Sequence, residues 1–202
     1  MIVNLTLSVL LFLAPARAGD PGPAWQASYD AEARGDLRQS LASLEALPEA
    51  DRDPYLFHLR RGWLRYGLGA HEDAVASYTA AVAAAPAALE PKLGLMLPLL
   101  ALRRWTEAAA VADQVLAVDP RSTLARSRKA WCAYNLGRFA EAEAGYRAVL
   151  ADYPSDVELR TGLGWSLQLQ GRSAEAAAEF RRVLAVAPRA TSAFQGLSET
   201  GK

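Results

Sequence analysis

Two histidines and one cysteine are the residues of this chain that could carry acid–base, nucleophilic or metal chemistry. His58 and His71 are not spaced as a metal-binding pair, and neither lies near Cys132 in the sequence. The chain contains no G-x-S-x-G segment and no glycine-rich phosphate loop, and the cysteine has no catalytic signature. We therefore predict a non-enzymatic protein that holds no metal and no cofactor.

Three tryptophans have a spacing that points to binding instead of catalysis. Trp63, Trp131 and Trp165 stand at the same position of a 34-residue period. Each follows a small residue (Gly62, Ala130, Gly164) and comes six residues before a glycine. Large aromatic rings at regular intervals can anchor a partner along one surface. The elements that position these rings follow from the period itself.

The 34-residue period extends through most of the chain. It is carried by prolines, alanines and glycines in fixed phase: Pro86, Pro120, Pro154, Pro188; Ala74, Ala108, Ala142, Ala176; Gly35, Gly69, Gly137, Gly171. Arg103 stands at the one position where the glycine is missing. So many coincidences at a single spacing indicate a true structural repeat.

Each period is predicted to form two helices. In the second period, residues 55–68 form the first helix and end at Gly69, and residues 72–84 form the second and end before Pro86. Glu107, Glu141 and Glu175 fall in the first turn of later second helices, where a carboxylate offsets the exposed N–H groups. Aromatic side chains on the second helices are predicted to fill the seam between helices: Tyr78, Tyr146 and Phe180.

In these glycines, alanines, aromatics and prolines the chain resembles the tetratricopeptide repeat family. The resemblance implies an all-α, right-handed α-solenoid of about five helix-turn-helix units over residues 21–190, followed by a short C-terminal capping helix and tail at 191–202. The units are 21–54, 55–88, 89–122, 123–156 and 157–190. The first unit is degenerate, with Ser40 at the alanine position and Pro48 closing its second helix early.

Residues 1–18 have the pattern of a secretory signal peptide. An apolar run at 5–13 precedes Ala16, Arg17 and Ala18, which predicts cleavage before Gly19 and a flexible lead at 19–23. We therefore expect an exported protein, periplasmic or extracellular, with no membrane span after processing. The alternatives are an uncleaved anchor or a start codon assigned too far upstream.

The charge balance excludes two classes of partner. The chain has 22 basic and 22 acidic residues, so it carries no electrostatic footprint for nucleic acid or an anionic membrane. Cys132 is the only cysteine, so no intramolecular disulfide can form, and it is predicted to be a small buried hydrophobic residue. The resemblance to the repeat family implies a protein or peptide partner.

The resemblance places the first helix of each unit on the concave side, where partners bind. The tryptophan position and the position three residues later then give the predicted partner-binding residues, together with an apolar stretch at 93–102: Tyr29, Trp63, Tyr66, Leu93, Leu97, Leu100, Trp131, Tyr134 and Trp165. Pro98 lies within that stretch and is predicted to bend its helix. The lysines and asparagines with which some members of the family clamp acidic chaperone tails are absent from these positions.

Two alternatives remain open at this stage. Each tryptophan ring could pack between repeats instead of contacting a partner. The C-terminal helix, with Phe194 and Leu197, is short for a cap, so end-to-end self-association as a structural scaffold is the alternative function.

Overall fold

A computed structural model describes residues 22–201 of the chain. The described residues form eleven α-helices and one short 3-10 helix, with no strand among them. The all-α fold expected from the repeat is therefore confirmed. The helices fall into two compact units that divide after Asp53, and each unit is described separately below.

The unit that ends at Asp53 contains one helix pair and a 3-10 turn. Its elements are α1 (Gly22–Ala33), α2 (Leu37–Glu45) and the 3-10 helix Glu49–Asp51. Asp36 caps α2 by accepting a hydrogen bond from the Gln39 backbone N–H at 2.9 Å. Ser40, at the position that carries alanine in later periods, is fully buried and donates to the Ser28 carbonyl at 2.7 Å. Its hydroxyl is thus satisfied inside the helix pair.

The unit that begins at Pro54 contains nine helices in a regular series. They are α3 (Pro54–Gly67), α4 (His71–Ala84), α5 (Glu90–Ala101), α6 (Trp105–Val118), α7 (Thr123–Asn135), α8 (Phe139–Asp152), α9 (Val157–Gln168), α10 (Ser173–Val186) and α11 (Thr191–Glu199). The helices predicted at 55–68 and 72–84 correspond to α3 and α4 within one residue at each end.

The helices of this unit stack in one direction. Each first helix (α3, α5, α7, α9) packs against the second helix of its own pair and also contacts the first helix of the next pair. Within residues 54–201 the second helices approach one another less closely, although the Arg147–Glu175 ion pair at 3.8 Å joins α8 to α10. The first helices are therefore closer together than the second helices, which places them on the inner side of the stack.

Left-handed residues join the two helices of each pair. Gly69, Gly137 and Gly171 have φ angles of 76°, 75° and 78°, which glycine adopts without steric cost. Arg103 takes the same place between α5 and α6 with φ 57°. The turn geometry is thus retained in the period that lacks the glycine, at the cost of a strained side-chain-bearing residue.

Glycines on the first helices let aromatic rings of the second helices approach closely. A Cβ added at Gly62 would lie 2.9 Å from the ring of Tyr78, and one at Gly164 would lie 2.6 Å from Phe180. Tyr78 and Phe180 are 2% and 0% exposed. These rings fill the seam between helices, as the sequence predicted.

The α5–α6 pair uses a different packing. Its second helix carries Ala112 at the aromatic position, and its first helix carries Met96 where α3 has Gly62. Met96 and Ala112 are both fully buried in one cluster with Leu99 and Cys132. The helix continues through Pro98, and no break interrupts it.

Arginines just before the second helices pair with the predicted first-turn glutamates. Arg104 contacts Glu107 at 2.7 Å, and Arg172 contacts Glu175 at 2.6 Å. Hydrogen bonds from Arg172 lower the pKa of Glu175. These carboxylates are well exposed, so the pairs orient the helix starts and add little to stability.

Several predictions about export fall outside the described residues. The signal peptide at 1–18 and most of the lead at 19–23 belong to the part of the chain that the structure does not describe. Between residues 22 and 201, none of the helices is both long and apolar enough to cross a membrane.

Candidate partner-binding pocket

An open pocket of about 840 Å³ lies on the first-helix side of the unit that begins at Pro54. Its walls come from α7, α9 and the start of α11, and α8 contributes one ring. The residues that dominate its lining are Trp131, Tyr134, Tyr146, Trp165, Arg128 and Ser192. Its volume and mainly apolar lining are typical of a binding site for several side chains or one small molecule.

Trp131 is the exposed aromatic residue of the pocket. It is 43% exposed and lies parallel to Tyr134, with ring centroids 5.5 Å apart. Trp105, at the start of α6, contacts the Trp131 ring edge-on at 6.5 Å. These neighbours fix the orientation of the Trp131 ring while leaving much of it accessible to a partner.

Tyr146 enters the pocket from α8 and is buried, with only 3% of its surface exposed. Gly162 of α9 lies against its ring, because a Cβ there would be 2.6 Å from the Tyr146 Cζ atom. Burial raises the pKa of the Tyr146 phenol, so the group stays neutral. The phenol therefore offers a fixed, uncharged surface to any occupant.

Trp165 is more deeply packed than Trp131. Its ring contacts Phe180 edge-on at 5.4 Å, and its Nε1–H donates to the Ser192 hydroxyl at 2.9 Å. The ring thus joins α9 to α10 and α11. For this tryptophan, packing between repeats and lining of the pocket occur together.

The polar residues around the pocket are engaged in local hydrogen bonds. Thr161 donates to the Val157 carbonyl at 2.7 Å, and Ser127 donates to the Leu124 carbonyl at 3.2 Å. Asp156 caps α9 by accepting the Leu159 N–H at 2.9 Å. These hydrogen bonds hold the hydroxyl and carboxylate groups to the backbone of their own helices.

The other predicted partner-binding residues lie outside this pocket. Trp63 is 48% exposed on α3, and Tyr66 lies 5.5 Å from the ring of His71. Three leucines of α5 are partly buried: Leu93, Leu97 and Leu100. Tyr29, in the unit that ends at Asp53, is 52% exposed. Of the predicted set, the pocket brings together Trp131, Tyr134 and Trp165.

Two aromatic residues of the site were not predicted from the sequence as part of it. Trp105 and Tyr146 reach the site from second helices, which the resemblance assigns to the outer side. The sequence places Arg60 and Arg128 near the predicted surface, where either could bind an acidic group, although an exposed arginine on a helix is more often solvated. The structure puts Arg128 in the lining of the pocket.

One of the residues that could have carried chemistry, Cys132, lies in the core. Cys132 is fully buried, as predicted, and burial raises the pKa of its thiol to about 11. Within residues 22–201 no group of three or more histidine, cysteine or acidic side chains could hold a metal ion.

Comparison with known proteins gives a family match and a fold match. A sequence model described as tetratricopeptide repeat matches residues 26–88, 98–157 and 133–193. The solved structure of MamA (41-end) from Desulfovibrio magneticus RS-1 has a TM-score of 0.79 at 15% identity, over 84% of this chain and 96% of that one. MamA of MSR-1 gives 0.73 at 20% identity, over 84% and 97%. No curated protein sequence matches the chain.

Proposed function

This chain belongs to the tetratricopeptide repeat family, and on that premise we propose that it is a non-enzymatic adaptor whose pocket holds a segment of a partner protein. The observation that carries the proposal is Trp131, which is held between Tyr134 and Trp105 yet keeps 43% of its surface exposed. An exposed aromatic ring with a fixed orientation is a preorganised anchor for a partner. The likeness to MamA supports the fold alone, because the identities are 15% and 20%.

The exposed part of the Trp131 ring can contribute to binding energy. Covering the accessible part of Trp131 would remove roughly 100 Å² of apolar surface from water, which contributes about 2.5 kcal/mol before association costs. Covering Trp63, which is 48% exposed, would add a similar contribution. Association itself costs at least about 4 kcal/mol, so a partner segment must cover several such rings or add polar contacts to bind.

The proposed place of action is the cell envelope or the extracellular space. The support for export is the apolar run at 5–13 followed by Ala16, Arg17 and Ala18. Partners should therefore be sought in envelope extracts. Fusing residues 1–23 to a reporter enzyme that is active only after export would test this part separately: an inactive reporter contradicts it.

Affinity capture with matched variants tests the adaptor function. The intact protein is compared with a variant in which Trp63, Trp131 and Trp165 are alanine. The control replaces Val118 and Val186, which are 63% and 73% exposed at the ends of second helices. We expect the tryptophan variant to lose partners that the valine control retains.

Two results of this experiment have distinct meanings. If the folded tryptophan variant recovers the same partners as the intact protein, the proposed binding surface is wrong. If the tryptophan variant does not fold, the rings are needed for packing, and the single variant Trp131→Ala then decides, because that ring is more exposed than Trp165.

Self-association is the second candidate function, and one residue favours it. Phe194 on α11 is 67% exposed, whereas Leu197 of the same helix packs against the core. An exposed phenylalanine beside an apolar core can join two copies end to end. Sedimentation equilibrium should then show a dimer that is lost in Phe194→Ser, and a monomer in both cases would contradict self-association.

A further inference from the structure

One register position of the first helices carries glycine in α5, α9 and α11 and arginine in α3 (Arg60) and α7 (Arg128). Gly94, Gly162 and Gly196 each lie against an aromatic ring of the preceding second helix. The distances from an added Cβ to Tyr78, Tyr146 and Phe180 would be 2.4, 2.6 and 2.3 Å. Arg128 of α7 occupies the same register position.

The neighbouring helix explains why a large residue fits at 128. The preceding second helix, α6, carries Ala112 where α4 carries Tyr78 and α8 carries Tyr146. Because α6 has no aromatic ring at this place, the first helix α7 does not need a glycine at position 128. This accounts for the size of the side chain but not for its charge, since methionine or leucine would fill the same space without a desolvation cost.

The charge of Arg128 has no counter-charge among the described residues. One NH group donates to the Leu93 carbonyl at 2.7 Å. The groups that act on its charge are Tyr66 and Tyr78, and burial raises the pKa of Tyr78 to about 12, so this phenol is neutral. Burial lowers the pKa of Arg128, which indicates that its guanidinium is partly desolvated.

Other cations of the same helix are paired. Arg126 contacts Asp152 at 2.7 Å, and Lys129 contacts Asp113 at 2.7 Å. Each of these pairs links α7 to a second helix that packs against it. Arg128 is the cation that lines the pocket. Within residues 22–201 no carboxylate forms such an ion pair with its guanidinium.

The two carboxylates that line the pocket do not neutralise Arg128. Asp156 accepts the backbone N–H of Leu159 at the start of α9, and Glu158 is exposed in the first turn of the same helix. Neither contributes to the charge balance of Arg128. A partly desolvated guanidinium beside an apolar pocket gains a strong charge-assisted interaction when a carboxylate enters.

We propose that the occupant of the pocket is a peptide segment that carries an aspartate or glutamate side chain for Arg128. A large apolar side chain of the same segment lies against Trp131 and Trp165. The inference rests on the adaptor function proposed above and specifies its ligand. The guanidinium selects the acidic residue, and the rings supply most of the contact area.

The test uses pools of hexapeptides with acetylated and amidated ends, each with two adjacent fixed residues, and measures binding by fluorescence anisotropy. With the intact protein, pools with a fixed Asp or Glu next to a fixed Leu or Phe should bind about tenfold more tightly than the same pools with Asn or Gln. The tighter binding should weaken as NaCl is raised from 50 to 500 mM.

Variants then assign the preference to one residue. Arg128→Met keeps the length of the side chain and should reduce the acid preference to less than twofold while the apolar preference remains. Arg181→Met, an exposed arginine of α10, is the matched control and should leave both preferences unchanged. Circular dichroism establishes that each variant is folded, and Arg128→Gln replaces Arg128→Met if the latter is not.

Each contrary outcome has a separate meaning. Binding by the intact protein without a preference for Asp or Glu overturns the acidic ligand and leaves the adaptor function standing. A preference that persists in Arg128→Met overturns the role of this residue. Tighter binding of peptides with an unblocked C-terminus shows that a chain end supplies the carboxylate and overturns the side-chain proposal. Failure of every pool to bind overturns the peptide pocket and the acidic ligand together.

Discussion

Trp131 lies parallel to Tyr134, with 5.5 Å between the ring centroids and 8° between the ring planes. The two residues are three positions apart on α7, so one helix presents both rings to the same side. Trp165 is held differently, by Phe180 and by the Ser192 hydroxyl. Two tryptophans at the same repeat position therefore contribute differently: Trp165 more to the stability of the fold, and Trp131 more to the surface open to a partner.

This difference predicts losses of stability of different size for two single variants. Trp131→Ala should lower the free energy of unfolding by only about 1 kcal/mol, because much of the ring is already in water. Trp165→Ala should cost about 3 kcal/mol, since it removes a packed ring and a hydrogen bond. Urea unfolding measures both values. Equal losses would show that exposure does not separate the two rings.

Arg103 predicts a stabilising substitution. Its φ of 57° costs a residue with a Cβ about 1 kcal/mol, and glycine avoids that cost while losing more chain entropy on folding. We expect Arg103→Gly to raise the free energy of unfolding by about 0.5 kcal/mol. The reciprocal control, Gly137→Ala at φ 75°, should lower it by about 1 kcal/mol. A loss of stability in Arg103→Gly would mean that the arginine side chain makes a larger contribution than the strain it causes.

The packing around Ala112 predicts that one substitution changes stability in opposite directions in two backgrounds. Ala112→Tyr in the wild-type background should destabilise the protein by about 2 kcal/mol, because Met96 and Arg128 stand where Gly62 and Gly94 accommodate the ring of Tyr78. The same change in a Met96→Gly, Arg128→Gly background should be stabilising, since glycines then accommodate the ring as they accommodate Tyr78. Denaturant unfolding of the four proteins gives the coupling energy. If the stability changes are additive, the side chains at 96, 112 and 128 do not compensate for one another in volume.

Cys132 predicts a pH dependence in alkaline solution. Burial raises the thiol pKa from 9.0 to about 11, so the folded state binds the proton more tightly than the unfolded state. The contribution of the buried, protonated thiol to the free energy of unfolding has its full value below pH 9.0 and is lost as the pH rises towards 11. Between pH 9.5 and 10.5, the stability of the wild type should fall more steeply than that of Cys132→Ala. The difference approaches 1.4 kcal/mol per pH unit.

Thiol labelling provides an independent check on Cys132. The side chain is fully buried, so the native protein at pH 8 should react with a thiol reagent only as fast as it opens. Reaction at the rate of a free thiol would contradict both the burial and the raised pKa.

The periodic residues allowed most of the fold to be predicted from the sequence. Gly69 and Pro86 set the ends of α3 and α4, and Tyr78 was placed correctly in the seam. These features depend on local backbone conformation and on one repeated contact, so a single period contains the necessary information.

The pocket was predicted only in part, because it combines residues from different pairs. Trp131 and Tyr134 share a helix and could be paired from their spacing. The contacts of Trp105 with Trp131 and of Ser192 with Trp165 join separate helix pairs, and no spacing within one period reveals them. The leucines at 93, 97 and 100 were grouped with the tryptophans, but they do not line this pocket.

The third wall of the pocket is α11, a helix of only nine residues. Among the described residues this short helix packs only on α9 and α10, so this wall should exchange its amide hydrogens faster than α7 or α9. An occupant that contacts Ser192 would enter or leave when α11 opens locally, and while bound it would suppress that opening. The residence time of the occupant would then be set by the rate at which α11 opens locally. The tryptophans would provide the contact surface without setting that rate.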